Sequence, residues 1–133
     1  MHILFICDGN VARSQEAELF LNTLSGGKHH AVSAGVNPKL GKLIAPDVVE
    51  VMKEIGYSMD ESVRKAIDEP TVNTVDLIVS FKPAEELPEF VRRRDNVRYW
   101  EVTDPRGRSL EFHRKTRDII KAKVESLLAE INQ

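Results

Sequence analysis

Short apolar runs alternate with helical patterns along the whole chain, and no other sequence feature limits the possible fold so narrowly. His2 to Ile6, Ala31-Val32-Ser33-Ala34, Asp76 to Phe81 and Val97 to Val102 read as strands. After the first, Ala17, Phe20, Leu21 and Leu24 recur at helical spacing until Gly26-Gly27 ends the pattern. Asn37 to Ala45, with Pro38 and Gly41, reads as a loop. Pro46 suits a first helical position, and Val48, Val51, Met52 and Ile55 make one apolar face before Gly56. A short helix is expected over Glu61 to Ile67. The clearest helix starts near Ser109, lined by Ile120, Val124, Leu127, Leu128 and Ile131. The third strand is almost continuously apolar, as in a strand covered on both faces. Strands alternating with helices argue an α/β fold of three layers, a four-stranded parallel sheet with helices on both faces. With no repeat, low-complexity tract or linker, 133 residues suit one domain spanning 1–133.

The first strand leads directly into Cys7-Asp8-Gly9-Asn10-Val11-Ala12-Arg13-Ser14, and a helix pattern follows. A strand passing through a tight loop into a helix aims backbone N–H groups and the positive helix end at one point. An anion placed there is stabilised, and so is a thiolate. Gly9 accepts a positive φ and Asn10 tolerates one. Ser14 offers a hydroxyl to the sulfur. Arg13 offers a planar fork matched to two oxygens of a phosphoryl group. The plainer alternative is a buried cysteine ending the strand, with Arg13 on the surface. Thr103-Asp104-Pro105-Arg106-Gly107 follows the fourth strand, and ligands of such sheets bind at the carboxyl ends of strands. The two loops are therefore expected to meet. Cys7 would attack phosphorus, Arg13 and the loop amides would hold the equatorial oxygens, and Asp104 would protonate the leaving oxygen and then activate water. Asp-Pro alone more often means a plain turn.

Composition excludes several classes. A formal net charge of −2 argues against general nucleic-acid binding. No apolar stretch approaches the ~20 residues of a membrane span, and no cationic region precedes the first apolar run as in a signal peptide. One cysteine rules out an intramolecular disulfide and makes a reducing, cytoplasmic setting the default. No cysteine–histidine set has zinc spacing, and the adjacent pair His29-His30 would point opposite ways on a strand, so no metal or other cofactor is expected. Arg92-Arg93-Arg94 with Arg98 reads as a solvated face near the fourth strand, the less favoured reading being docking of an acidic protein.

Cys7 to Ser14 closely resembles the phosphate-binding loop of the low-molecular-weight protein tyrosine phosphatases and of the arsenate reductases that share their fold. Val32-Ser33-Ala34-Gly35 is similar to that family's second-strand motif, Asp76-Leu77-Ile78-Val79 to its third strand, and Tyr99 to Pro105 to the segment bearing its acid. The resemblance covers essentially the whole chain and implies sheet order 2-1-3-4. It implies Cys7 as nucleophile, Arg13 as phosphate clamp and Asp104 as acid and base. The phosphate-binding loop would comprise Asp8, Gly9, Asn10, Val11, Ala12, Arg13 and Ser14, with Asn10, Ser14 and Ser33 supporting it. The implied ligands are a phosphotyrosine protein or a small phosphomonoester, and phosphate, sulfate or arsenate anions; a monomer is expected.

Departures from the family pattern bear on the choice of activity. The arsenate reductases relay oxidation through further cysteines beyond the third strand, where this chain has Phe81 to Pro88 and none. Yet Gln15 and the stretch from Trp100 onward look more like those reductases than like the animal phosphatases. Ala12 stands where many of the phosphatases carry a second loop cysteine. Arg106-Gly107 and Asn37-Pro38-Lys39-Leu40 stand where animal members carry aromatics, and Glu61 stands where the family has a loop-holding histidine. Arg106, Arg108 and Lys39 would favour an acidic substrate if they are not merely solvated. The preferred reading is a phosphatase acting through a cysteinyl-phosphate. The alternative is an arsenate reductase using Cys7 and an external small thiol, and a third is an oxyanion-binding module without turnover.

Overall fold

The computed structural model describes residues 1–133. Its elements are β1 (His2–Cys7), α1 (Arg13–Leu24), β2 (His30–Gly35), α2 (Pro46–Lys53), α3 (Glu69–Thr74), β3 (Leu77–Ser80), α4 (Glu89–Arg92), β4 (Val97–Tyr99) and α5 (Leu110–Ile131). A single 3-10 turn covers Ala84–Glu86. The four strands are parallel in the order β2-β1-β3-β4, as expected. β1 is central: Ile3 pairs with Ala31 on one side and with Leu77 on the other.

The two-residue period of β1 splits its side chains between two cores. Ile3, Phe5 and Cys7 face a cluster built with Phe20 and Leu21 of α1, Val48 and Met52 of α2, and Ile120 and Val124 of α5. Leu4 and Ile6 face a second cluster with Val72 of α3, Ile78 of β3 and Val91 of α4. Both sheet faces are therefore covered, which explains why β1 and β3 are unbroken apolar runs. Trp100 packs against Phe5 and Phe81, its ring centroid 5.8 Å from each. No helix is long and apolar enough to cross a membrane.

Several boundaries differ from expectation for identifiable reasons. β4 ends at Tyr99, not Val102: its partner β3 ends at Ser80, so after Trp100 N–H donates to Ser80 O at 2.9 Å the chain has nothing left to pair with. No helix covers Glu61 to Ile67. Those backbone groups are used elsewhere: Gly35 N–H donates to Lys65 O, Ile67 N–H donates to Gly35 O, and Leu43 bridges Val63. The helix forms just beyond as α3, where Asp68 caps it by accepting from Thr71 N–H at 2.8 Å and Pro70 sits in its first turn. Leu24 and Ile55, counted on apolar helix faces, are exposed at helix ends. Arg92, Arg93 and Arg98 lie on the surface, pairing with Glu89, Glu69 and Glu130, but Arg94 is half-buried and donates to Val72 O of α3 at 3.0 Å, so the run is not solvated throughout.

Candidate active site

β1 delivers Cys7 to the carboxyl end of the sheet, and α1 begins six residues later at Arg13. The loop between them curls tightly. Asn10 is its single non-glycine residue at positive φ (53°), the left-handed conformation that asparagine tolerates. The N–H groups of Gly9, Val11 and Ala12 make no hydrogen bond within the protein, so the loop presents backbone donors toward the helix start, where the helix dipole also favours negative charge.

The sulfur is held by two donors. Ser14 Oγ lies 2.8 Å from Cys7 Sγ, and Asn10 N–H donates to the same sulfur at 3.2 Å. Asn10 Nδ2 donates to Ser14 Oγ at 2.8 Å, which leaves the serine hydroxyl proton for the sulfur. The second Nδ2 proton goes to Ser33 Oγ at 2.9 Å. Asn10 Oδ1 accepts from Gln15 Nε2 at 2.9 Å and from Lys65 N–H at 2.8 Å. The Asn10 amide, with no exposed surface, thus has both protons and its oxygen satisfied, which fixes its orientation and with it the serine hydroxyl.

Arg13 reaches across the carboxyl end of the sheet. Its Nη1 donates to Val102 O at 2.9 Å and to Phe81 O at 3.4 Å, and Nη2 stands 3.4 Å from Asp104 Oδ2. One guanidinium therefore ties the Cys7 loop to the residue after β3 and to the segment after β4. Asp104 accepts from Arg106 at both oxygens, from N–H to Oδ1 at 3.0 Å and from Nε to Oδ2 at 2.7 Å. Burial pushes the Asp104 carboxyl up, but the Arg106 hydrogen bonds and the charges of Arg13 and Arg106 outweigh it and hold it below the usual carboxylate range. Asp8 accepts from Lys82 Nζ (2.7 Å), Asn37 Nδ2 (3.1 Å) and Arg106 Nη2 (2.8 Å), and its carboxyl is held well below that range, the Lys82 hydrogen bond being the largest cause.

The structure brings together Cys7, Asn10, Arg13, Ser14, Ser33 and Asp104, with Asp8 joined to Asp104 through Arg106. One expectation fails. Glu61 is exposed and makes no hydrogen bond to the loop; Gln15 does that work, donating to Asn10 Oδ1 and also to Val63 O at 2.7 Å. A carboxylate could accept but not donate at that place. Arg106 is not a free rim cation either, being engaged by two carboxylates, and Arg108 stacks over Phe112 at 4.9 Å. Sequence reasoning missed Lys65, Lys82 and the Asp8 ion pairs. Lys82, second after β3 at the same sheet edge, is the one with a positional signal.

A family model described as low molecular weight phosphotyrosine protein phosphatase matches residues 2–133. A curated relative, the glutaredoxin arsenate reductase of Synechocystis sp., is 30% identical over 131 residues, covering 98% of each chain. A solved low molecular weight protein tyrosine phosphatase from T. tengcongensis superposes with a TM-score of 0.88 at 29% identity, covering 98% of this chain and 99% of that one. The YwlE arginine phosphatase, solved as a variant with a phosphorylated active-site serine, superposes with a TM-score of 0.90 at 24% identity, covering 100% of this chain and 97% of that one. At that identity the last likeness is one of fold.

Proposed function

The chain belongs to the low molecular weight phosphotyrosine protein phosphatase family, and from that premise we propose that it hydrolyses phosphomonoesters through a cysteinyl-phosphate on Cys7. The observation that carries this is the donor chain from Asn10 Nδ2 through the Ser14 hydroxyl to Cys7 Sγ, beside the Arg13 fork. Donors aimed at sulfur stabilise a thiolate, the form that attacks. In the first step an Sγ–P bond forms, the P–O bond to the leaving group breaks, and Asp104 gives that oxygen a proton. In the second, water attacks phosphorus, Asp104 takes a proton from it, and the thiolate leaves. Arg13 and the N–H groups of Gly9, Val11 and Ala12 hold the equatorial oxygens, whose charge the transition state spreads. Asp8, Asn10 and Ser14 complete the loop, and Ser33 supports it. The unit acting is a single domain, residues 1–133, taken to be a monomeric cytoplasmic protein that uses no cofactor. Its ligands are a phosphotyrosine protein or a small phosphomonoester, with phosphate and similar oxyanions as competitors.

The test is turnover of an aryl phosphate in reducing buffer. Cys7→Ser is expected to abolish it, and a serine variant retaining over about a tenth of the activity, where nucleophilic and acid contributions run to ~10²-fold and beyond, would remove Cys7 from the mechanism. Asp104→Asn is expected to slow poor leaving groups most. Equal losses for good and poor leaving groups would remove its role as acid.

A second reading, arsenate reduction, is favoured by the arsenate reductase named among the relatives and by the lone thiol. Cys7 would bond to arsenic as one As–O bond breaks and that oxygen leaves as water, and an external thiol would then attack Sγ. The S–As electron pair then stays with arsenic, reducing As(V) to As(III) and leaving a mixed disulfide for a second thiol to open. Arsenate consumption that depends on added small thiol and on Cys7, exceeding phosphomonoester turnover, would put this reading first.

A further inference from the structure

Arg106 lies where the two loops of the site meet. Through its N–H and Nε it holds both oxygens of Asp104, and its Nη2 lies 2.6 Å from Asp104 Oδ2 and 2.8 Å from Asp8 Oδ2. Gly9 makes this seat possible: a Cβ there would stand 2.9 Å from Arg106 Nη1. Asp8 is itself anchored by Lys82, which also pairs with Glu86, and by Asn37. The guanidinium therefore joins the acid-bearing loop to the nucleophile loop and uses the acid as one of its anchors. Asp104 faces Arg13 from α1, Arg106 from its own loop and Asp8 across that guanidinium; Lys82 acts on it through Asp8.

We propose that Arg106 is a positioning residue, a latch that clamps the acid loop onto the nucleophile loop through Asp8 and holds Asp104 in place until a phosphoryl group arrives. This rests on the phosphatase reading above. An incoming dianion puts negative charge beside Asp104 and competes for the guanidinium N–H groups. Both effects drive a proton from solvent onto Asp104, producing the carboxylic acid that the leaving oxygen requires; the proton passes to that oxygen, and the attacking water later restores it. Asp8 is the second anchor: without it the Arg106 N–H and Nε still hold both Asp104 oxygens. It shares the guanidinium and adds like charge nearby, so removing its carboxylate gives Asp104 the whole cation. Losing Arg106 and losing Asp8 must then move Asp104 in opposite directions, a signature that a purely structural bridge does not produce.

The experiment is the pH dependence of kcat/KM on an aryl phosphate for wild type, Arg106→Gln, Arg106→Lys and Asp8→Asn. The limb belonging to Asp104 is the one that Asp104→Asn removes. Arg106→Gln is expected to move it to higher pH, Arg106→Lys by less, and Asp8→Asn to move it to lower pH. In parallel, carboxyl ¹³C NMR titration of Asp104, assigned by difference with Asp104→Asn, reads the same group without turnover. Inorganic phosphate is expected to raise its midpoint in the wild type, and less so in Arg106→Gln, where it starts higher. Arg106→Gln lowering activity equally at every pH with an unmoved midpoint would overturn the latch, as would shifts of one sign in both variants. If the wild type fails to turn over, the phosphatase reading falls, while the NMR titration still decides whether Arg106 and Asp8 control Asp104.

Discussion

Gly35 ends β2 against the back of the Cys7 loop with no room for a side chain. A Cβ there would lie 2.8 Å from Asp8 O, 2.9 Å from Asn10 N and 3.0 Å from Gly9 C, all backbone atoms that cannot swing aside. Gly35→Ala is expected to displace the loop, costing about 1–3 kcal/mol of stability, as overpacking does, and weakening inorganic phosphate binding more than it lowers the melting temperature of the free protein would suggest. Calorimetric phosphate titration beside thermal unfolding checks this, and unchanged phosphate affinity would show that the loop absorbs the methyl. At this scale the sequence was legible where partners are near neighbours. Cys7, Asn10, Arg13 and Ser14 lie within one turn of chain, so their spacing carries the chemistry. Gln15 to Val63 O and Lys65 N–H to Asn10 were illegible because one partner in each is a backbone group in an irregular segment. Arg106 to Asp8 crosses 98 residues and leaves no local trace.

Helix α1 carries a buried carboxyl that its periodicity hides. Glu16 has no exposed surface, and neither carboxylate oxygen finds a partner. Burial raises its carboxyl from 4.5 to about 8 against the opposing pull of Arg117. The folded protein thus holds Glu16 protonated over a range where the unfolded chain ionises it. The sign follows: stability falls as pH rises from the unfolded value of 4.5 toward about 8, at up to about 1.4 kcal/mol per pH unit, and levels off above. Glu16→Gln is expected to flatten that slope and to stabilise the fold at pH 7 by on the order of 2–3 kcal/mol, with little effect near pH 4. Urea midpoints of both proteins across this range decide it, and parallel slopes would place the ionisation elsewhere. The long helix α5 was legible because Ser109 caps it, accepting from Phe112 N–H at 3.1 Å, and because its apolar stripe is long. α3 and α4, at 6 and 4 residues, are too short for periodicity to register, and only Asp68 and the prolines mark them.

As a whole molecule the chain has one thiol, Cys7, and it is buried where β1 runs into its loop. Peroxide oxidation of Cys7 finds no second cysteine to form an internal disulfide, so recovery depends on external thiol arriving before further oxidation. Peroxide is expected to inactivate the protein irreversibly unless thiol is added promptly, with inorganic phosphate slowing the loss. Mass spectra should show sulfinic or sulfonic Cys7, and full spontaneous recovery after peroxide removal would contradict this. The architecture was legible at this scale because a sheet covered on both faces writes itself as unbroken apolar runs, while the join between the two loops rests on ion pairs whose partners are distant in the chain. The central place of β1 also has a consequence in time. Its neighbours come from far along the chain: His2 N–H is satisfied by Asp76, 74 residues away, at the threshold of β3. Closing so distant a pair costs chain entropy before any contact rewards it, which slows folding. The loop holding Cys7, though nearly the first segment in sequence, is therefore among the last places to acquire its shape, and a chain released before β3 has docked carries a cysteine with no site around it.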